Sequence, residues 1–71
     1  MGAVLATVER LILSVLKKSK MPVTTYDIAK RLEISWATAN IHCYKLKAEG
    51  RLDCKNEETK IGMKRMVWWV Q

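Results

Sequence analysis

Seventy-one residues carry 13 lysines and arginines against 7 aspartates and glutamates, for a net charge of +6 and a pI near 9.6. A chain this short is one domain and buries only about 60% of the surface its unfolded form exposes, so its core is small. Two cysteines and one histidine fall short of the four ligands of a structural zinc site, and the charge balance favours a polyanionic partner, nucleic acid first among them.

The opening run MGAVLATVERLILSVLKK is too short to cross a bilayer, holds Glu9 and Arg10 inside its apolar stretch, and has no basic region before it. A soluble cytoplasmic protein is the expectation. Residues 3–19 read as a helix with Val4, Val8, Leu11, Ile12 and Val15 on one stripe, while Leu5, Leu13 and Leu16 widen that stripe toward a second side. The excess favours a homodimer built on this helix, the alternative being a helix gripped on both sides by its own domain. Lys17, Lys18 and Lys20 complement the macrodipole at its C-terminus.

Pro22 stops the first helix, and Val23 after it has room for a very short strand. Thr24 is the expected N-cap of a second helix, with Asp27 three residues on in an approximate capping box, and Ile28, Ala29 and Leu32 forming its apolar face. Ile34 plugs the following turn and Ser35 caps a third helix, which Gly50 ends. Two helices separated by about three residues form a helix-turn-helix connection.

On the third helix Ala39, Cys43 and Leu46 fall on one face, and Ala37, Asn40, Ile41 and Tyr44 on the opposite one. The first face is a core face, where Cys43 is a small buried hydrophobe. Trp36, at the helix start, reads first as a packing residue that shields the turn, the alternative being a ring that stacks on a nucleic-acid sugar, and His42 as a partly buried structural histidine at the core edge. Beyond Gly50, RLDCK and MKRMVWWVQ read as two strands around the polar segment NEETKIG. A two-stranded ribbon is marginal alone, so it must lean on the helices through Leu52, Met66 and one of Trp68 and Trp69. A disulfide at Cys54 would be unusual in a reducing cytosol.

This order of elements, with the pattern TTYDIAKRLEIS followed by Ala39, Cys43, Leu46, Gly50 and Leu52, resembles the winged helix-turn-helix DNA-binding domains of bacterial and archaeal transcription regulators. The resemblance spans roughly residues 4–70 and implies an α+β, mostly α fold: three helices plus a C-terminal β-hairpin wing, as a single domain over residues 1–71. It implies sequence-specific binding of double-stranded DNA, with helix 35–49 in the major groove and the 52–70 hairpin as wing. Ala37, Asn40, Ile41 and Tyr44 would then face base edges, Asn40 suited to adenine and the aliphatic residues to a thymine methyl. Lys30, Arg31, Ser35, Lys45, Lys47, Lys60, Lys64 and Arg65 are the expected phosphate contacts, against which Glu57 and Glu58 work.

A narrower resemblance is to the Zα branch of the same fold, carried by TTYDIAKRL, by Asn40 and Tyr44 four apart, and by tryptophan in the last strand. That branch implies an asparagine on phosphate, a tyrosine on a syn purine of Z-form duplex, and a wing tryptophan supporting the tyrosine. Trp36 and Ala37 stand where its lysines are expected, Ile41 where a basic residue follows the asparagine, and the paired wing prolines are missing. A protein-interaction winged helix is the other alternative. One histidine, no carboxylate pair in an apolar setting and no glycine-rich phosphate loop argue against an enzyme. No cofactor, metal, membrane or small-molecule ligand is expected.

Overall fold

The computed structural model describes residues 2–71, with side chains from Thr7 onward. The chain runs α1 (Gly2–Lys18), β1 (Val23–Thr24), α2 (Thr25–Leu32), α3 (Trp36–Ala48), β2 (Leu52–Glu58) and β3 (Lys64–Val70). The strands form one antiparallel sheet in the order β1-β3-β2, so the last strand is central and the two-residue β1 closes its outer edge. No helix among the described residues is long and apolar enough to cross a membrane.

Each boundary has a local chemical cause. Thr24 is extended and its Oγ1 accepts the Asp27 amide at 3.0 Å, which satisfies one orphan donor of α2. Ser35 does the same for α3, taking the Thr38 amide at 3.1 Å. Gly50, at φ +77°, ends α3 in a paired closure: its amide reaches the Lys47 carbonyl at 2.9 Å and the Arg51 amide the Leu46 carbonyl at 3.0 Å. The end of α2 uses the same closure without a glycine. Glu33 holds φ 56° while its amide bonds the Lys30 carbonyl and the Ile34 amide bonds that of Ala29.

The core sits where the helices meet the inner face of the sheet. Ile12, Leu13 and Leu16 of α1, Ile28 and Ala29 of α2, and Ala39, Cys43 and Leu46 of α3 are buried against Val23, Leu52 and Trp68. The inward face expected for α3 is complete, with all three of its residues at zero exposure. Leu13 and Leu16, which widened the first stripe, are taken up by the domain's own core, whereas Leu11 stays 47% exposed. Val4 and Leu5 lie outside the described side chains.

Two expectations need correction. Asn56, Glu57 and Glu58, expected in the loop, continue β2 and pair with Met66, Arg65 and Lys64. The ladder across β3 outweighs their low strand propensity, and the Arg65 guanidinium bonds Glu57 at 2.6 Å across the pair. Trp36, expected to pack, is 54% exposed. As the first residue of α3 it lies on the flank that faces the wing, outside the stripe of Ala39, Cys43 and Leu46.

Candidate nucleic-acid interface

The cross-strand register decides which wing tryptophan enters the core. Trp68 stands opposite both Cys54 and Val23, on the sheet face turned to the helices, and is fully buried. Its indole N–H donates to Thr25 Oγ1 at 2.8 Å, so the only polar atom of that side chain is paired inside the core. Trp69, one residue on, turns to the opposite face and remains half-buried.

Tyr44 stacks edge-on against this fixed indole, with ring centroids 5.1 Å apart and planes at 88°. One and two turns earlier on the same flank lie Asn40 and Trp36, and across from them Lys64, Arg65, Met66 and Asn56 of the wing. Together with Thr24, Thr25 and Tyr26 these residues line an open groove of about 470 Å³ between α3 and the hairpin. Asn40 is half-buried there, while Tyr44 keeps 44% of its surface and Tyr26 66%. The groove combines two amides, two phenols, an indole and two cations, a set able to hydrogen-bond, stack and neutralise phosphate.

The residues expected on the outward face of α3 divide into two groups. Asn40 and Tyr44 line the groove, whereas Ala37 and Ile41 are exposed outside it, Ile41 at 66%. Of the expected phosphate contacts, Lys64 and Arg65 lie in the groove wall, with Arg65 also held by Glu57. Lys30 and Arg31 are exposed in the last turn of α2, Lys47 in the last turn of α3, and Lys60 at the tip of the wing. Ser35 Oγ, at the start of α3, donates to Thr38 Oγ1 at 2.8 Å while it caps the helix. Sequence reasoning missed Tyr26 and Asn56. Tyr26 had one signal, a large aromatic just past an N-cap and off the apolar stripe; Asn56 had none, because its place depends on the ladder.

Lys45 is engaged elsewhere. Its Nζ lies 3.2 Å from Glu9 Oε2, and His42 Nδ1 lies 3.3 Å from the same oxygen, which ties α3 to α1. Burial works to raise the Glu9 carboxyl pKa, but the hydrogen bonds from Lys45 and His42 outweigh it and hold the group below its ordinary value of 4.5. Cys43 and Cys54 are both free thiols. Burial, with the neighbouring Cys54 adding to it, pushes the Cys43 thiol up to about 12.

No protein-family model matches the sequence, and no curated protein matches it closely enough to count as a relative. Solved structures do match. The apo Zalpha domain of zebrafish PKZ is 28% identical with a TM-score of 0.79, covering 94% of this chain and 95% of that one. The Zalpha domain of Carassius auratus PKZ, solved in complex with Z-DNA, is 24% identical with a TM-score of 0.76 over 96% of this chain and 98% of that one. A PadR-like transcription factor from Bacteroides fragilis superposes with a TM-score of 0.82 at 20% identity, over 99% of this chain and 71% of that one. With its capped helix pair, its hairpin and these neighbours, the chain is a winged helix-turn-helix domain.

Proposed function

We propose that the protein binds double-stranded DNA as a small cytoplasmic transcriptional regulator, with α3 in the major groove and the β2–β3 hairpin as wing. The observation that supports this reading most is the outward side of α3. Ile41 is exposed, and Asn40 and Tyr44 open partly onto the groove beside the wing, while Ala39, Cys43 and Leu46 anchor the helix from behind. An α-helix with its reading side open in part fits the major groove, about 12 Å wide. Asn40 then bonds adenine N6 and N7, and Ala37 and Ile41 pack on thymine methyls. Lys64 and Arg65, at the groove wall, Lys30, Arg31 and Lys47 at the helix ends, Lys60 on the wing and the N-terminus of α3 at Ser35 hold phosphates. Lys45 joins them by exchanging Glu9 for phosphate. A homodimer through α1 belongs to the same reading, supported by the exposed Leu11, and asks for half-sites about 34 Å apart.

Selection of bound sequences from a random duplex pool tests the reading. A defined site bound in the range of about 10⁻⁸ M or tighter, with affinity falling steeply as salt rises, is the expected result. Repeating the selection with Asn40→Ala and Tyr44→Ala should relax the preference at separate positions of that site. Unchanged selectivity in both variants removes these residues from base reading. Weak, sequence-independent binding by the wild type points instead to a protein-interaction module.

One observation favours a second reading. Tyr44 braced edge-on by Trp68, with Asn40 one turn before it, is the arrangement expected of a Zα-like binder of Z-form duplex. Circular dichroism of an alternating dC–dG duplex separates the two. Inversion of its spectrum on titration with the protein supports Z-form binding, and an unchanged B-form spectrum excludes it.

A further inference from the structure

The apex of the wing carries two aliphatic side chains that the core does not use. Ile61 is 80% exposed and Met63 63%, although a hairpin tip ordinarily presents small or polar residues. The tip is nevertheless tightly built. Thr59 and Met63 pair through the Thr59 amide and the Met63 carbonyl at 2.7 Å, and the Gly62 amide returns to the Thr59 carbonyl at 2.9 Å. The Met63 amide also bonds Thr59 Oγ1 at 3.2 Å, and Gly62 holds φ +82°, the left-handed position of a three-residue hairpin loop. A rigid turn thus presents an aliphatic point whose ordering cost is met by the fold itself.

Position and charge indicate what this point meets. At about 3.3 Å per strand residue, Ile61 stands within roughly 10 Å of Lys64, the wing residue nearest the tip that lines the groove against α3. The apex therefore extends the groove wall past Lys64, toward the phosphate backbone that flanks the major groove when α3 is seated. Lys60 and Lys64 bracket the aliphatic pair, both exposed. Of the nearby carboxylates, Glu57 is held by Arg65 and Glu58 stands opposite Lys64 in the ladder. An aliphatic tip between cations, continuous with a groove lined by amides and aromatic rings, suits a duplex better than a protein pocket.

We propose that Ile61, seconded by Met63, is an apolar wedge that enters the minor groove beside the α3 site and partly unstacks one base step. The proposal rests on the duplex-binding reading and adds to it a distortion of the nucleic acid. Unstacking costs a few kcal/mol per step, which burial of the two side chains between bases offsets, so steps that unstack easily, TA above all, are preferred. Lys60 and Lys64 contact the phosphates on either side of the opened step.

The test uses the full chain and a set of 30-base-pair duplexes in which 2-aminopurine replaces adenine at successive TA steps. Wild-type protein is expected to raise the fluorescence of the probe several-fold at one step offset from the bound site. Ile61→Ser, with an unchanged melting temperature because the residue touches no core, should abolish the enhancement and weaken binding by about tenfold. Ile61→Phe should retain the enhancement. Duplex binding with no enhancement at any step, or equal enhancement with Ile61→Ser, overturns the wedge and leaves the duplex-binding reading intact. Binding of phosphatidylserine vesicles that depends on Ile61, without any enhancement on DNA, likewise overturns it in favour of a lipid surface. Failure of the wild type to bind any duplex at low salt overturns both readings together.

Discussion

Replacing Thr25 with valine tests the bond on which both core and groove depend. The substitution keeps the β-branched shape at a site only 2% exposed, but removes the acceptor of the Trp68 indole N–H, 2.8 Å away and fully buried. An orphaned buried donor costs about 1–3 kcal/mol. For a domain of this size each kcal/mol lowers the melting temperature by about 4–8 °C, so a loss near 2 kcal/mol lowers it by roughly 8–16 °C. Thermal unfolding followed by circular dichroism gives the shift, and a double-mutant cycle with Trp68→Phe gives its origin. Phenylalanine has no donor, so in that background valine should be about neutral, giving a coupling of about 1 kcal/mol or more. The reasoning is refuted if Thr25→Val melts within about 2 °C of wild type, or if it costs as much beside phenylalanine as beside tryptophan.

Glu33→Gly should raise stability by about 0.5–1 kcal/mol in denaturant titration, because the native φ of 56° strains any side chain and glycine tolerates it, less its own unfolded-state entropy. The Glu9 carboxyl is held below its ordinary 4.5, so its link to α3 contributes stability that is fully present above that value and is lost as pH falls through the lowered one. Glu9→Gln should flatten the acid limb of the stability profile measured by chemical denaturation. Cys54 should react with a soluble alkylating reagent at pH 8 while Cys43, fully buried with its thiol pushed up to about 12, reacts only as the protein unfolds; mass spectrometry of partly labelled protein checks the order. If the DNA-binding reading holds, Lys64→Gln should reduce the slope of log affinity against log salt by about 1.

The parts of the fold legible in the sequence are those with a local cause. Thr24, Ser35 and Gly50 are capping residues whose chemistry acts within three or four positions, and Ala39, Cys43 and Leu46 keep the helical period without interruption. The choice between Trp68 and Trp69 was not legible, since both suit a strand and a one-residue shift of register exchanges them. The extension of β2 through Glu58 was hidden for a related reason: it depends on partners six to ten residues away. Glu33 gave no sign of its left-handed turn, because the sequence signal for that conformation is glycine. The groove was half legible. Asn40 and Tyr44 follow from helical spacing, but the wing residues that face them, and the engagement of Lys45 by Glu9 across 36 positions, arise only from tertiary packing.

Thr24 belongs to two elements at once. Its backbone is paired with Val67 of the central strand, and its hydroxyl closes the first turn of α2. A load that swings the hairpin outward must therefore pull on the start of the helix pair, and the hairpin cannot hinge freely about its base. Whatever shape the protein's partner has, it is measured by a stiff two-armed caliper, and misfit between the arms falls on the bound molecule before it falls on the protein.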